Sequence, residues 1–299
     1  MKLNLEGKVV LVSGGSSGIG KAIATDFARE GASVMITARR VGPLQDAVTE
    51  LEALGGRASY FAADMTLESD VVAAVARTKD VFGIIPEVVV CNVRSLIKFG
   101  FDDTMTEDFR TSSEQCVLSV VHLAKAVLPT WKKTQWGRFI NLGSVCTLEP
   151  HRWHHTILGN TFRLSVTLSS GQVGVINTDY ISINNRAAVG LMRSLSNEFS
   201  SYGITFNTIA IGLIDTGTSE KIINDADKES RVQAEPQPQI SMKRPGRPEE
   251  VAAQVVFLAS DRASYVKIIH IILIFNYVLT SLKVTGQNIV VDGGWTRGI

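Results

Sequence analysis

The segment Val9–Gly20, VVLVSGGSSGIG, carries the residue types and spacing most suited to chemistry. An apolar run ends at Ser13, and Gly14, Gly18 and Gly20 follow, interleaved with Ser16, Ser17 and Ile19. A helix-like stretch, Lys21 to Glu30, comes next. Strand, glycine turn and helix together form a cradle for a pyrophosphate. Glycine permits a tight turn and a close approach of backbone to ligand. The helix start supplies free N–H groups and a partial positive charge. The competing reading is a glycine turn kept for packing, but the element before the turn and the element after it both fit a dinucleotide site.

Which dinucleotide is decided at the end of the next apolar run, Ser33–Ala38. A carboxylate there favours NAD, because it accepts from the ribose hydroxyls and repels a 2′-phosphate. The run ends instead in Thr37-Ala38-Arg39-Arg40. Guanidinium forks suit phosphate oxygens, so NADP is favoured, through Arg39, with NAD possible. The alternative is a solvated arginine pair at a helix start.

The elements that must position these groups alternate along the chain. Strands are expected at Val9–Ser13, Ser33–Ala38, Ala58–Ala62, Pro86–Cys91, Arg138–Leu142, Ile204–Ile211 and Asn288–Val291. Helices are expected at Lys21–Glu30, Leu44–Leu54, Ser69–Phe82 and Glu107–Pro129. This order predicts an α/β fold, a Rossmann-like doubly wound parallel sheet of about seven strands with helices on both faces. No repeat or low-complexity linker divides the 299 residues, so residues 1–299 are read as a single domain. A net charge of +1 gives no reason to expect nucleic acid as a partner. Cys91, Cys116 and Cys146 lack metal-ligand spacing, and a reducing, cytoplasmic location is expected. The first strand lies close to Met1, which leaves no room for a signal peptide. The apolar run Ile268–Leu282 is short for a bilayer span and carries His270 and Asn276.

Taken together, these segments resemble the short-chain dehydrogenase/reductase family, and within it the 3-oxoacyl-acyl-carrier-protein reductase-like group. SGGSSGIG is similar to its cofactor loop, and Asp64 to the acidic residue placed by the adenine. Trp136–Ser144 (WGRFINLGS) is similar to its catalytic-serine strand, and Tyr202–Asn207 and Val291–Trp295 to its late segments. The resemblance implies hydride transfer between the cofactor and a carbonyl or secondary alcohol. It gives Ser144 the task of holding the substrate oxygen and Asn92 and Thr216 places on the cofactor. The helix position where the family carries a proton-relay Asn falls on Cys116, and a thiol is a poor hydrogen-bonding replacement. It also implies a homodimer or homotetramer packed through the long helices.

The family's Tyr-x-x-x-Lys pair is missing. Four residues after Tyr60, Tyr180, Tyr202, Tyr265 and Tyr277 stand Asp64, Asn184, Phe206, Ile269 and Ser281. The helix that should carry the pair reads as split, into Leu158–Thr167 and Gly190–Ser200. Joined at Thr167 and Gly190, Leu158, Phe162, Val166, Leu191, Leu195 and Phe199 fall on one helical stripe. Residues 168–189, and likewise 266–283, are therefore read as translated intron sequence or recent insertions. Without both, the chain has 259 residues, a normal family length. In the joined helix Gly159 takes the Tyr place and Arg163 the Lys place; without joining, Ser182 and Arg186 compete for them.

His151, His154 and His155 lie in the loop after Ser144, but no cysteine or carboxylate accompanies them at ligand spacing, so no metal is expected. Three functions remain open. The first is an NADP-dependent oxidoreductase acting on a carbonyl or alcohol. The second is a dinucleotide-binding sensor or partner subunit without hydride transfer. The third is a defective product of the split helix.

Overall fold

The computed structural model describes residues 2–93, 105–144, 165–167, 173–175, 180–212, 214–216, 242, 244–264 and 288–291. Its main sheet has seven parallel strands: β1 (Val9–Ser13), β2 (Ser33–Ala38), β3 (Arg57–Ala62), β4 (Val88–Cys91), β5 (Gly137–Ser144), β8 (Ile204–Ile211) and β9 (Asn288–Val291). The spatial order is β3-β2-β1-β4-β5-β8-β9. The chain therefore winds outward from β1 to β3, returns, and winds the other way from β4, which puts the topological switch between β1 and β4. Two further strands, β6 (Ser165–Thr167) and β7 (Val173–Val175), form a separate antiparallel ribbon.

Period-two alternation assigns each strand residue to one of two cores. Val10, Val12, Val34, Ile36, Val88 and Val90 face α1 (Gly18–Arg29), α2 (Val41–Ala53) and α7 (Pro248–Ala259). Leu11, Met35, Val89, Phe139 and Phe206 point to the other face. There they meet α3 (Glu68–Phe82), α5 (Ser119–Thr134) and α6 (Tyr180–Phe199). Both faces are covered, so β1 and β4 read VVLVS and VVVC, with every residue buried.

The long helix expected over Glu107–Pro129 is built in three parts. These are α4 (Thr106–Ser113), a π-helical turn (Glu114–Leu118) and α5, which runs past Pro129 to Thr134. Proline favours a stop, but one more turn buries Trp131, whose indole N–H donates to the Pro86 carbonyl at 2.8 Å. Left-handed Gln135 (φ 56°) then ends the helix. The split-helix expectation also changes. The residues continuous with Gly190–Phe199 are Tyr180–Val189, while Ser165–Thr167 is strand. Contiguous chain propagates the helix backward from Gly190.

At the N-terminal edge of the sheet, the Trp136 ring lies between Lys8 and Arg138, 4.1 and 4.3 Å from its centroid, and its N–H donates to Asp261. Next to it, Gly137 packs face-on to Trp131 with no room for a Cβ. Gly137→Ala is expected to lower unfolding free energy by about 1–3 kcal/mol, read as a lower urea midpoint with unchanged m-value.

Candidate dinucleotide site

The C-terminal ends of the parallel strands lie along one edge, and the switch point opens a crevice between β1 and β4. Ser13, the last residue of β1, spans it. Its hydroxyl accepts from the Asn92 N–H at 2.7 Å and donates to the Val90 carbonyl at 3.3 Å. The Asn92 side-chain amide in turn donates to the Gly14 carbonyl at 3.5 Å.

The glycines are required by close approach. Gly14 has φ +63°, and a Cβ there would stand 2.6 Å from the Asn92 carbonyl oxygen. A Cβ on Gly20 would overlap the Gly14 carbonyl. Gly18, at φ +53°, starts α1, and a Cβ there would stand 3.3 Å from the Thr216 methyl. Sequence reading passed over Gly15, whose absent Cβ would sit 2.7 Å from Ile36 and whose N–H donates to the Thr37 carbonyl. Its signal was only adjacency to Gly14.

Ser17 occupies the N-cap of α1 without a side-chain cap, so the first-turn N–H groups are left for a ligand. Ser16 and Ile19 are half-buried beside it. Thr216 is placed from the other side: Ile214 bridges Gly246, and the Asp215 N–H donates to the Gly246 carbonyl at 2.8 Å. Gly246 in turn precedes α7, whose start is fixed by Glu250. Glu250 accepts from Arg244 at 2.6 and 2.8 Å and from the Arg247 N–H at 2.7 Å. The Arg244 hydrogen bonds hold its pKa down to about 2.

Arg39 and Arg40 separate in role. Arg40 is the N-cap residue of α2, whereas Arg39 closes the β2 end, exposed and without an ion pair to any described residue. Asp64 follows β3, where its carboxylate accepts from the Thr66 N–H at 3.0 Å and hydroxyl at 2.8 Å, forming the turn into α3. Its own N–H donates to Asp70 at 2.9 Å.

On the substrate side, Ser144 ends β5 in register with Ile211 and is half-buried. Cys116 lies in the π-helical turn, 4.0 Å from the Ser112 hydroxyl, and that turn packs on α6. Arg186 is exposed on α6. Among the described side chains of that helix, Asn185 comes close to β5: its Oδ1 lies 3.5 Å from where a Cβ on Gly143 would stand. Sequence reasoning missed Asn185 because it followed charge rather than helix phase. Arg163, Gly159, Cys146 and the His151–His155 loop lie outside the described residues, as does Ile268–Leu282. Among the described residues there is no group of three metal-ligating side chains, and no helix is long and apolar enough to cross a membrane.

Comparison with known proteins bears on this geometry. The family model for short chain dehydrogenase matches residues 8–155, and one described as enoyl-(acyl carrier protein) reductase matches 159–272. The 3-oxoacyl-[acyl-carrier-protein] reductase of Vibrio cholerae is 32% identical over 264 residues, covering 88% of this chain and 94% of its own. The chain belongs to the short-chain dehydrogenase family. An oxidoreductase of Salmonella typhimurium, UcpA, is 31% identical, with 98% and 95% covered. L-sorbose reductase from Gluconobacter frateurii, solved with NADPH and L-sorbose, superimposes with a TM-score of 0.78 at 26% identity over the whole of both chains.

Beside the crevice, burial pushes the Cys91 thiol up to about 12 from 9.0. Between those values the unfolded chain ionises this thiol and the folded chain does not. The folded state binds the extra proton, so stability falls as pH rises, by up to about 1.4 kcal/mol per unit from this group. Urea unfolding at pH 8.5 and 10.5 is expected to show a steeper loss for the native chain than for Cys91→Ala; equal losses would contradict the assignment.

Proposed function

We propose that this family member is an NADP-dependent oxidoreductase acting on a carbonyl or secondary-alcohol substrate, in the manner of 3-oxoacyl reductases. The observation that carries this reading is that Ser13–Gly20, Arg39, Asn92 and Ser144 lie at the C-terminal ends of β1, β2, β4 and β5, with Thr216 beside Gly18. The cradle fits the dinucleotide because Gly14, Gly18 and Gly20 leave backbone where a side chain would fill the space. Gly14–Gly20 would hold the pyrophosphate and Arg39 the 2′-phosphate. Asp64 would lie by the adenine, and Asn92 and Thr216 by the nicotinamide half. When bound, the cofactor supplies a hydride. Ser144 then donates a hydrogen bond to the substrate oxygen and orients it. Cys116 sits at the family's relay position without a strong donor.

A second reading, a dinucleotide-binding sensor or partner subunit, is favoured by one specific observation: Asn185, an uncharged amide, is the described α6 side chain beside Gly143 near the end of β5. Side-chain proton transfer typically contributes 10²–10⁴-fold, so the missing Tyr-Lys pair predicts slow turnover rather than none. Self-association through α5 and α6, as a dimer or tetramer, accompanies either reading.

NADPH fluorescence titration followed by a carbonyl panel separates the readings: binding with oxidation supports the first, binding without it the second. Absence of binding would leave the defective-product reading. Arg39→Ala is expected to weaken NADPH about tenfold, near 1.4 kcal/mol, while leaving NADH unchanged. Ser144→Ala is expected to lower kcat about 100-fold with the NADPH Kd unaltered.

A further inference from the structure

The run Arg244-Pro245-Gly246-Arg247-Pro248 leads into α7, with a proline on each side of Gly246 to restrict the backbone. It lies beside the stretch 214–216. Ile214 bridges Gly246 in parallel, and the Asp215 N–H donates to the Gly246 carbonyl at 2.8 Å. That stretch ends at Thr216, whose methyl lies 3.3 Å from where a Cβ on Gly18 would stand. The Arg244 fork donates from Nη1 and Nη2 to the two Glu250 carboxylate oxygens at 2.8 and 2.6 Å, and from Nη1 to the Pro245 carbonyl at 3.0 Å. The Arg247 N–H donates to the same carboxylate at 2.7 Å. Gly246 thus sits between two residues tied to one carboxylate. Pro248 and Glu249 share a groove with Gly18 and Lys21, so the anchored start of α7 flanks the first turn of α1.

Capping α7 needs only the Arg247 N–H on Glu250. The Arg244 fork is additional to that cap. The Arg244 and Glu250 side chains are 42% and 32% exposed, and an exposed ion pair adds little to global stability. A two-point fork closed within seven residues acts locally instead, by restricting the backbone that carries Gly246. We propose that Arg244 and Glu250 form a latch that positions Thr216 against the phosphate turn and thereby sets the affinity for the nicotinamide half of the dinucleotide. Both are positioning residues, acting through Gly246 and Asp215. The adenine half, assigned to Arg39 and Asp64, depends on the ends of β2 and β3 and lies outside the action of the latch. The ligand rests on the functional reading; the mechanical link does not.

Arg244→Ala in the full chain tests the latch, because it removes the fork and leaves the Glu250 cap on Arg247 in place. Hydrogen exchange without ligand reads the mechanical link: the Asp215 amide is expected to exchange about tenfold faster in the variant. Unchanged exchange overturns the latch. Titration then compares NADPH with adenosine 2′,5′-bisphosphate, which lacks the nicotinamide half. Arg244→Ala is expected to raise the NADPH Kd about tenfold and to leave the bisphosphate Kd within about twofold, and Arg244→Lys to recover NADPH to within about threefold of the native chain. The melting temperature is expected to move by less than about 4 °C. Equal weakening of both ligands, or of neither, overturns the positioning role. A native chain that binds neither ligand contradicts the functional reading and the cofactor role with it; the exchange result then decides the latch by itself.

Discussion

One buried hydroxyl extends the tie between β1 and β4 past their last paired residues. Ser13 ties the end of β1 to the end of β4 by accepting from Asn92 and donating to Val90, at the place where the sheet changes winding direction. The β1–β4 ladder pairs its last residues at Val12 and Val90, and Ser13 carries the link one residue beyond it. The Gly14 turn, the start of α1 and the Asn92 amide are all referenced to it. The required glycines follow from that spacing: a Cβ at Gly14 meets Asn92, and one at Gly20 meets Gly14.

The same economy of space governs the layers beneath. A parallel sheet buried on both faces forces strict alternation, and β1, β2 and β4 divide residue by residue between the two cores. Helices α1, α2 and α7 seal one face, and α3, α5 and α6 the other. The face carrying α1 and α7 brings the phosphate turn and the Thr216 segment together, because Gly246 precedes α7 and α1 packs against that helix. The opposite edge is closed by the Lys8–Trp136–Arg138 stack, far from the crevice along the strands.

The cofactor half and the chemical half of the site are thus unequally built. In the proposed site, backbone and glycines would make the first. The second would depend on the phase of α6 against β5, where the Asn185 amide stands beside Gly143. A helix can be continued by any contiguous residues of adequate propensity, so helical continuity alone does not select the side chains that a site needs.

Local sequence determined the strands, the glycine turn and the absence of Tyr-x-x-x-Lys. Each is a short-range pattern: apolar runs such as Val9–Val12 and Ile204–Ile211, backbone freedom at Gly14 and Gly18, a four-residue spacing. It determined the β8 and β9 bounds for the same reason. Tertiary structure decided which helix residues face the site, where the long helix breaks into a π-turn at Cys116, and why α5 continues beyond Pro129 to bury Trp131. It also distinguished Arg39 from Arg40 and gave Asp64 its turn contacts. These depend on what packs opposite each residue, and packing partners distant in the chain leave no mark on the local spacing.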